Sequence, residues 1–452
     1  MIEVQVAQPQ APQPASIPLA EVLGAFSYAL DITEGQPPGH CIRVCWIGSH
    51  IGQRIGLSDA ERRDLFYTLL LKDLGCSSNA ARVCELYLAD DLALKRDFKL
   101  LGSSLFQNAR FLVSRTGPQA GMRSRLGAIA HIASNADRLM GELVATRCTR
   151  GADIARRLRF SEPVAQGIFS LDEHWDGSGK PDGLKGAAIP LFSRIALLAQ
   201  TIDVFHTDAG PAAAIAEARA RARTWFDPAL VAAFLDIADS AFWRDLAAPG
   251  LEVRVMGLEP ALGAVTADED YLDDIATAFG AVVDAKSPYT GGHSQRVAHY
   301  ALAIADQLGF DPARRRWLQR GAYLHDIGKL GVSNMILDKP GRLDEAEWVV
   351  MRDHAAQTQA ILGRISAFEE MAPIAAAHHE RLDGTGYPLG LRGDEIGMAT
   401  RIITIADFYD ALTADRPYRA AMPVAQALQI IGETAGKAVD PACYAALRMV
   451  AQ

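Results

Sequence analysis

Seven side chains toward the C-terminus have the types and spacing to hold metal. His325 lies seven residues after Leu318 and four after Gly321, on the apolar side of a helical repeat. His354 shares a helical face with Met351, Thr358 and Ile361, and His378 and His379 follow the apolar run Ile374 to Ala377. Asp407 sits four residues after Ile403, inside Ile-Ile-Thr-Ile-Ala. A single buried histidine is ordinarily a hydrogen-bonded core residue. With Asp326 and His293 added, however, five histidines and two carboxylates fall where polar groups should be scarce. Burying uncompensated carboxylates costs several kcal/mol, and a metal removes that penalty. Neutral imidazoles with carboxylates suit Fe, Mn, Zn or Ni better than Ca or Mg. A metal cluster accounts for the pattern.

The elements that must position these groups read as helices. Val297, Tyr300, Ala301, Ile304 and Leu308 recur at three- and four-residue steps. Asp344 followed by Glu347 predicts a capping box at the head of a helix, and Pro373 predicts the opening of another. Alternating strand patterns are scarce, so the fold class is all-α. The 452 residues carry a net charge of −9, with 49% hydrophobic and 22% charged residues, which excludes a mainly disordered chain. The acidic balance argues against a DNA- or RNA-coating surface but allows a small anionic substrate in a locally cationic pocket. No run approaches the roughly 18 apolar residues of a membrane span, and Met1-Ile2-Glu3-Val4 has no basic region of a secretory signal. A cytoplasmic location away from membranes is expected. The six cysteines form no CxxC pair and read as buried small apolar residues.

The chain also repeats itself. Gly39-His40-Cys-Ile-Arg43-Val44 resembles Gly292-His293-Ser-Gln-Arg296-Val297, and Asp176-Gly-Ser-Gly-Lys-Pro resembles Asp383-Gly-Thr-Gly-Tyr-Pro. His40 to Lys72 and His293 to His325 are both 32 residues, while Asp176 to Gln200 and Asp383 to Asp407 are both 24. From Asp73 to Asp176 is 103 residues against 57 from Asp326 to Asp383, so the first copy carries a 46-residue insertion. The expected division is a Pro/Gln-rich tail over 1–18, a first helical domain over 19–236, a boundary region over 237–267 and a second helical domain over 268–452.

His325-Asp326-Ile-Gly-Lys329, His378-His379-Glu380-Arg-Leu-Asp383-Gly-Thr-Gly386-Tyr387-Pro388 and Arg416-Pro-Tyr-Arg419 together resemble the HD-GYP family of cyclic-di-GMP phosphodiesterases. The resemblance runs from about Ser287 to Pro441. It implies two tandem domains of the HD superfamily, the first degenerate, and a metal-dependent enzyme that hydrolyses cyclic-di-GMP to pGpG, the further step to GMP being left open. One metal would be held by His293, His325, Asp326 and Asp407, the second by His354, His378 and His379, with Asp326 bridging. Tyr289 stands where some members carry a Glu that helps hold a third metal, so two divalent ions, Fe or Mn, are implied. Two such metals activate a bridging hydroxide for in-line attack on a phosphodiester. Asp326 and Lys329 would be catalytic, Lys329 by stabilising the phosphate or protonating the leaving oxygen. Arg416 and Arg419 would contact substrate phosphate and guanine. Gly384 and Gly386 permit positive φ and close approach of backbone to ligand, or serve a tight turn. The alternatives are an HD-type hydrolase of another cyclic dinucleotide, such as cyclic GMP-AMP, and a non-catalytic signalling or scaffold protein. Signalling partners and a homodimer are left open.

Read back into the first copy, the ligand set is broken. His40 and Asp73 persist, but His325 is matched by Lys72, His378 by Leu171, His379 by Asp172, Asp407 by Gln200 and Lys329 by Cys76. The insertion leaves the counterpart of His354 unassigned, with His131 a guess. The first copy is expected to keep the fold and lose the metals.

Overall fold

The computed structural model describes residues 17–102, 104–260, 265–416 and 419–451; residues 1–16 of the tail expected over 1–18 lie outside them. The fold is all-helical. Copy one comprises α1 (Leu19–Thr33), α2 (His40–Arg54), α3 (Asp59–Leu71), α4 (Ala80–Tyr87), α5 (Asp91–Phe98), α6 (Leu105–Arg115), α7 (Met122–Arg157), α8 (Glu162–Phe169), α9 (Leu191–Ala209), α10 (Pro211–Ala220) and α11 (Pro228–Ile237). Two short helices, α12 (Ser240–Ala247) and α13 (Leu251–Met256), occupy the boundary stretch. Copy two comprises α14 (Glu269–Asp284), α15 (His293–Gln307), α16 (Pro312–Leu324), α17 (Asn334–Leu337), α18 (Glu345–Leu362), α19 (Met371–Ala376), α20 (Met398–Thr413), α21 (Val424–Glu433) and α22 (Pro441–Val450). No helix among the described residues is long and apolar enough to cross a membrane.

Local chemistry sets the helix starts alike in both copies. Gly39 and Gly292 adopt φ of 85° and 71° before α2 and α15, so His40 and His293 are each the first residue of a helix. Capping boxes at Ser58/Glu61 and Asp344/Glu347 open α3 and α18. Two starts and stops differ from expectation. The helix anticipated at Pro373 begins two residues earlier at Met371, with the proline still inside the first turn where its missing N–H is harmless. Helix α16 stops at Leu324, so His325 caps its end with helical angles and Asp326, with φ of −101° and ψ of 10°, begins the turn that follows.

One continuous apolar core runs through both copies. The rings of Phe26 (α1) and Phe279 (α14) stack with centroids 3.8 Å apart. Helix α1 packs on the 3₁₀ turn Ile327–Gly331 of copy two, and reciprocally α14 packs on the matching turn Cys76–Asn79 of copy one, where Ser77 Oγ donates to the Val282 carbonyl. Ile17–Pro18 and Thr266–Ala267 pair as short antiparallel strands, so part of the expected tail and part of the expected boundary region are held together. The insertion is α5, α6 and the N-terminal part of α7, which bends at Asn135.

Candidate metal centre

Copy two gathers its seven candidate ligands at one buried point from five parts of the fold. His293 opens α15, His325 and Asp326 occupy the turn after α16, His354 lies mid-α18, His378 and His379 follow α19, and Asp407 lies mid-α20. Ligand atoms of His293, His325 and Asp407 lie within 4.8 Å of one another, as do those of Asp326, His354, His378 and His379. Asp326 stands between the two sets. Its Oδ2 is 3.4 Å from His293 Nε2 and 3.3 Å from His325 Nε2, while its Oδ1 is 3.6 Å from His354 Nε2 and 3.4 Å from His378 Nε2.

The outer ring nitrogens are already committed. Nδ1 of His325, His354 and His378 donates to the carbonyls of Ala322, Met351 and Ala375, at 2.8, 2.6 and 2.7 Å. A ring that donates through Nδ1 presents a lone pair at Nε2, and Nε2 is the atom that faces the centre. His293 is held the same way by a carboxylate, with Asp410 Oδ2 at 2.7 Å, and Arg296 steadies that carboxylate with Nε at 2.5 Å and Nη2 at 3.1 Å. His293 Nε2, His325 Nε2 and Asp326 Oδ1 are buried without a hydrogen-bond partner. Orphaned acceptors converging on one volume fit a pair of divalent cations and little else.

For three of the rings the electrostatics of the protein groups agree. Burial, helped by the Lys329 charge, pushes His354 down to about 3, and burial lowers His378 and His379 as well. These rings are neutral at pH 7, as ligands must be. Burial also acts to lower His293, but the surrounding Asp326, Asp410 and Asp407 carboxylates outweigh it and raise the group to about 9, so with no ion bound this ring keeps a proton that a metal would have to displace. Burial would raise Asp326, yet His325 and Lys329 hold it well below the usual carboxylate range. Lys329 Nζ lies 2.5 Å from Asp326 Oδ2 and remains partly exposed on the cleft side.

Gly384 and Gly386 have an internal reason to be glycine. Gly384 has φ of 75°, and a Cβ on Gly386 would lie 2.5 Å from the backbone atoms Arg381 N and Glu380 Cα, so the loop packs against its own stem. Glu380, whose role the sequence did not disclose, anchors that loop by accepting from the N–H groups of Leu389, Gly390 and Leu391 at 2.6, 3.1 and 3.0 Å. Tyr387 lies over the His379 ring at 4.7 Å between centroids. Arg416 and Arg419 form the neck of a loop whose tip, 417–418, lies outside the described residues. The Arg419 guanidinium donates to the carbonyls of Ala411, Leu412 and Ala420, closing the C-terminus of α20. This loop is peculiar to copy two: Asp407 to Asp440 takes 33 residues, where Gln200 to Asp227 takes 27.

Copy one preserves the supports and replaces the centre. His40 is held by Asp203 and Arg43, as His293 is by Asp410 and Arg296, and Glu173 anchors the Asp182–Leu184 loop as Glu380 does in copy two. The Lys72 ammonium bridges His40 Nε2, at 3.1 Å, and Asp73 Oδ2. A Cβ on Gly75 would strike the Arg147 carbonyl just as one on Gly328 would strike that of His354, so Arg147 is the counterpart of His354. His131 is exposed elsewhere on α7. Arg147 forms an ion pair with Asp172, the counterpart of His379. Protein cations therefore stand in both sets of positions. The cysteines are all buried free thiols, and burial pushes Cys41, Cys45 and Cys76 up, away from the thiolate that a reactive or ligating cysteine needs.

Fold and centre together define an all-helical protein built around a paired imidazole–carboxylate cradle. The chain belongs to the HD-domain family, whose profile matches residues 113–230 and 279–443, one segment in each copy. It is 56% identical over 434 residues to the 3′3′-cGAMP-specific phosphodiesterase 3 of Vibrio cholerae, covering 96% of this chain and 94% of that protein. A crystal structure of a V. cholerae cyclic GMP-AMP specific phosphodiesterase, V-cGAP3, superposes with a TM-score of 0.67 at 51% identity, covering 96% and 98% of the two chains. A cyclic di-GMP phosphodiesterase of Thermotoga maritima is 35% identical over 175 residues, covering 38% of this chain and 48% of that protein. The HD-GYP resemblance read from the sequence is thereby shown.

Proposed function

We propose that the chain is a metal-dependent phosphodiesterase of cyclic dinucleotides, with a mixed 3′3′-linked guanine–adenine dinucleotide preferred over cyclic-di-GMP. The observation that supports the activity is Asp326, one oxygen turned to each of two adjoining ligand sets, with its Oδ1 and the Nε2 atoms of His293 and His325 buried and lacking a hydrogen-bond partner. The preference is supported by a relative of that named specificity that matches across both copies, whereas the cyclic di-GMP relative cited matches about half its length. The sequence reading had ranked the two substrates the other way.

In this reading His293, His325 and Asp407 hold one ion and His354, His378 and His379 the other, with Asp326 shared. Two divalent transition metals supply an activated water and neutralise charge on the phosphoryl oxygens. The remaining work falls to side chains of this chain. The carbonyls of Ala322, Met351 and Ala375 and the Asp410 carboxylate fix the imidazoles in the ligating tautomer. Lys329, poised at Asp326 with its ammonium partly exposed, can turn to a non-bridging phosphate oxygen or give its proton to the leaving 3′ oxygen. The Glu380-anchored loop sets Tyr387 over His379 and closes one wall of the cleft. Arg416 and Arg419 lie on a longer loop after α20 that copy one lacks, and we assign substrate contact to Arg416, since Arg419 is engaged with carbonyls.

The test is hydrolysis of 3′3′-cGAMP and of cyclic-di-GMP by protein loaded with Mn(II) or Fe(II), metal content being measured in parallel. Turnover of both, faster on the mixed dinucleotide, is expected. Fully loaded protein that cleaves neither overturns the activity, and a preference for cyclic-di-GMP overturns the specificity.

A further inference from the structure

The degenerate copy contains a cavity of about 370 Å³ in the place that the catalytic cleft occupies in copy two. Its floor holds Arg147, Asp172, Lys180 and Gln200, the counterparts of His354, His379, Tyr387 and Asp407. Its roof is the insertion: Leu94, Lys95, Phe98 and Lys99 from α5 and Phe111 from α6. The 46 extra residues thus cover a cleft that lost its metals, and the covered space is of the size that takes a small organic ligand.

Its lining has a definite chemistry. Lys95, Lys99, Arg147 and Lys180 reach it, and Glu34 and Asp172 are the acids that pair with them inside, while Asp137 is exposed at the rim. Lys180 has no carboxylate within ion-pair distance among the described residues. Gln200 is 9% exposed, and its Oε1 has no hydrogen-bond partner. Buried polar atoms left unpartnered in a native fold ask for a ligand or solvent. Flat surfaces lie alongside: Trp225 and His174 stack at 4.2 Å and 16°, with Phe98 and Phe111 opposite on the roof. Trp225 is covered by His174 and by the Arg221 guanidinium, 4.0 Å from its ring centroid, so the aromatic surface open to a base is that of His174, Phe98 and Phe111. Cations beside that surface, with an orphaned amide oxygen to accept from an exocyclic amine, match a phosphate-bearing purine.

We infer that copy one is a nucleotide-binding site that does not hydrolyse its ligand: Lys180 and the floor receive phosphate, and the aromatic faces receive the base. Hydrolysis is excluded there because Lys72 and Arg147 stand where the metals of copy two would be. The roof also connects the two copies. Asp91, the first residue of α5, accepts from Ser333 Oγ at 3.2 Å and from Asn334 N at 2.9 Å, a few residues beyond Lys329. The inference rests on the proposed function only for its choice of probes.

The test uses the full chain, metal-stripped so that nothing is turned over, and an 8-azido-adenosine nucleotide as photoprobe, followed by peptide mapping. Label is expected on peptides carrying Phe98, Phe111 or 174–225, and Lys180→Glu should reduce it roughly tenfold or more while leaving label in 268–452. Lys180 is partly exposed and unpaired, so the fold should hold, and Phe98→Ala, at the partly exposed roof, gives a second variant. Competition by unlabelled cyclic dinucleotide, linear dinucleotide or mononucleotide then separates substrate, product and unrelated nucleotide as the ligand. Label confined to 268–452, label unchanged in both variants, or no competitor effective at about 1 mM overturns the inference. Because nothing is hydrolysed, these results stand apart from the turnover assay.

Discussion

Replacing Asp410 with Asn should weaken metal binding without any ligand being touched. Asp410 is buried and accepts from His293 Nδ1 at 2.7 Å and from Arg296 at 2.5 and 3.1 Å. Asparagine keeps the volume and one acceptor but loses the charge, and its amide donors then oppose the Arg296 guanidinium. His293 loses basicity and the restraint on its ring, and Nε2 drifts from its line to Asp326 and Asp407. Partners of this kind govern about tenfold to hundredfold in metal affinity or activity, or roughly 1.4–2.7 kcal/mol. The affinity is read by competition with a chromogenic chelator, and turnover at fixed free metal is measured alongside. The duplication supplies an internal control. Asp203 holds His40 at 2.7 Å and meets Arg43 at 2.6 and 3.2 Å, the same trio without a metal to support. Asp203→Asn should lower the melting temperature as Asp410→Asn does, yet leave metal affinity alone. Affinity within about twofold of wild type for Asp410→Asn, or an equal loss in Asp203→Asn, would refute the reasoning.

Gly386→Ala should cut turnover at least about tenfold, because its Cβ meets unyielding backbone 2.5 Å away, while Gly397→Ala, with open space around it, should leave turnover unchanged in the same assay. Phe26→Ala removes one face of the ring stack that joins the copies and should cost about 3–5 kcal/mol in urea denaturation; a loss below about 1 kcal/mol would show that the stack is dispensable. Burial, with the Lys72 charge, holds His40 down at about 4 in the folded protein against 6.5 for the free group. The unfolded chain therefore takes up this proton first, so the stability it contributes is complete above pH 6.5 and drains away toward pH 4, by about 3 kcal/mol. Melting curves across that window should fall less steeply for His40→Gln than for wild type, and equal slopes would count against the assignment.

Much of the centre was legible because helices carry a ruler. Polar residues at fixed offsets from apolar ones pointed to the buried candidates of copy two, the family resemblance completed the set of seven, and local motifs repeated with equal spacings disclosed the duplication. Legibility failed where the ruler breaks. His325 and Asp326 lie just past a helix end, which periodicity cannot locate to the residue. Arg147 escaped because the insertion destroyed register between Asp73 and Asp176. Asp410 and Glu380 were in plain view within motifs, but an acid that orients a ligand or ties three amides looks in sequence like any other acid. Only the geometry separates them. The glycines gave the opposite lesson: the positive φ of Gly384 and the close approach at Gly386 were foreseeable, whereas the surface approached proved to be the loop itself.

The ammonium of Lys72 makes the two halves unequal in their dependence on supply. On the proposed reading copy two draws on free ions, and its hold on them follows mass action: a chelator or a scarcity would empty it and leave Asp326 and its histidines without their counter-charge. Copy one carries its counter-ion on a four-carbon tether, at an effective concentration that no change in the medium can dilute. Chelation should therefore loosen one half of a continuous core while the other half holds its shape. Folding could begin on copy one whatever the metal status, leaving the working half to be completed when ions arrive.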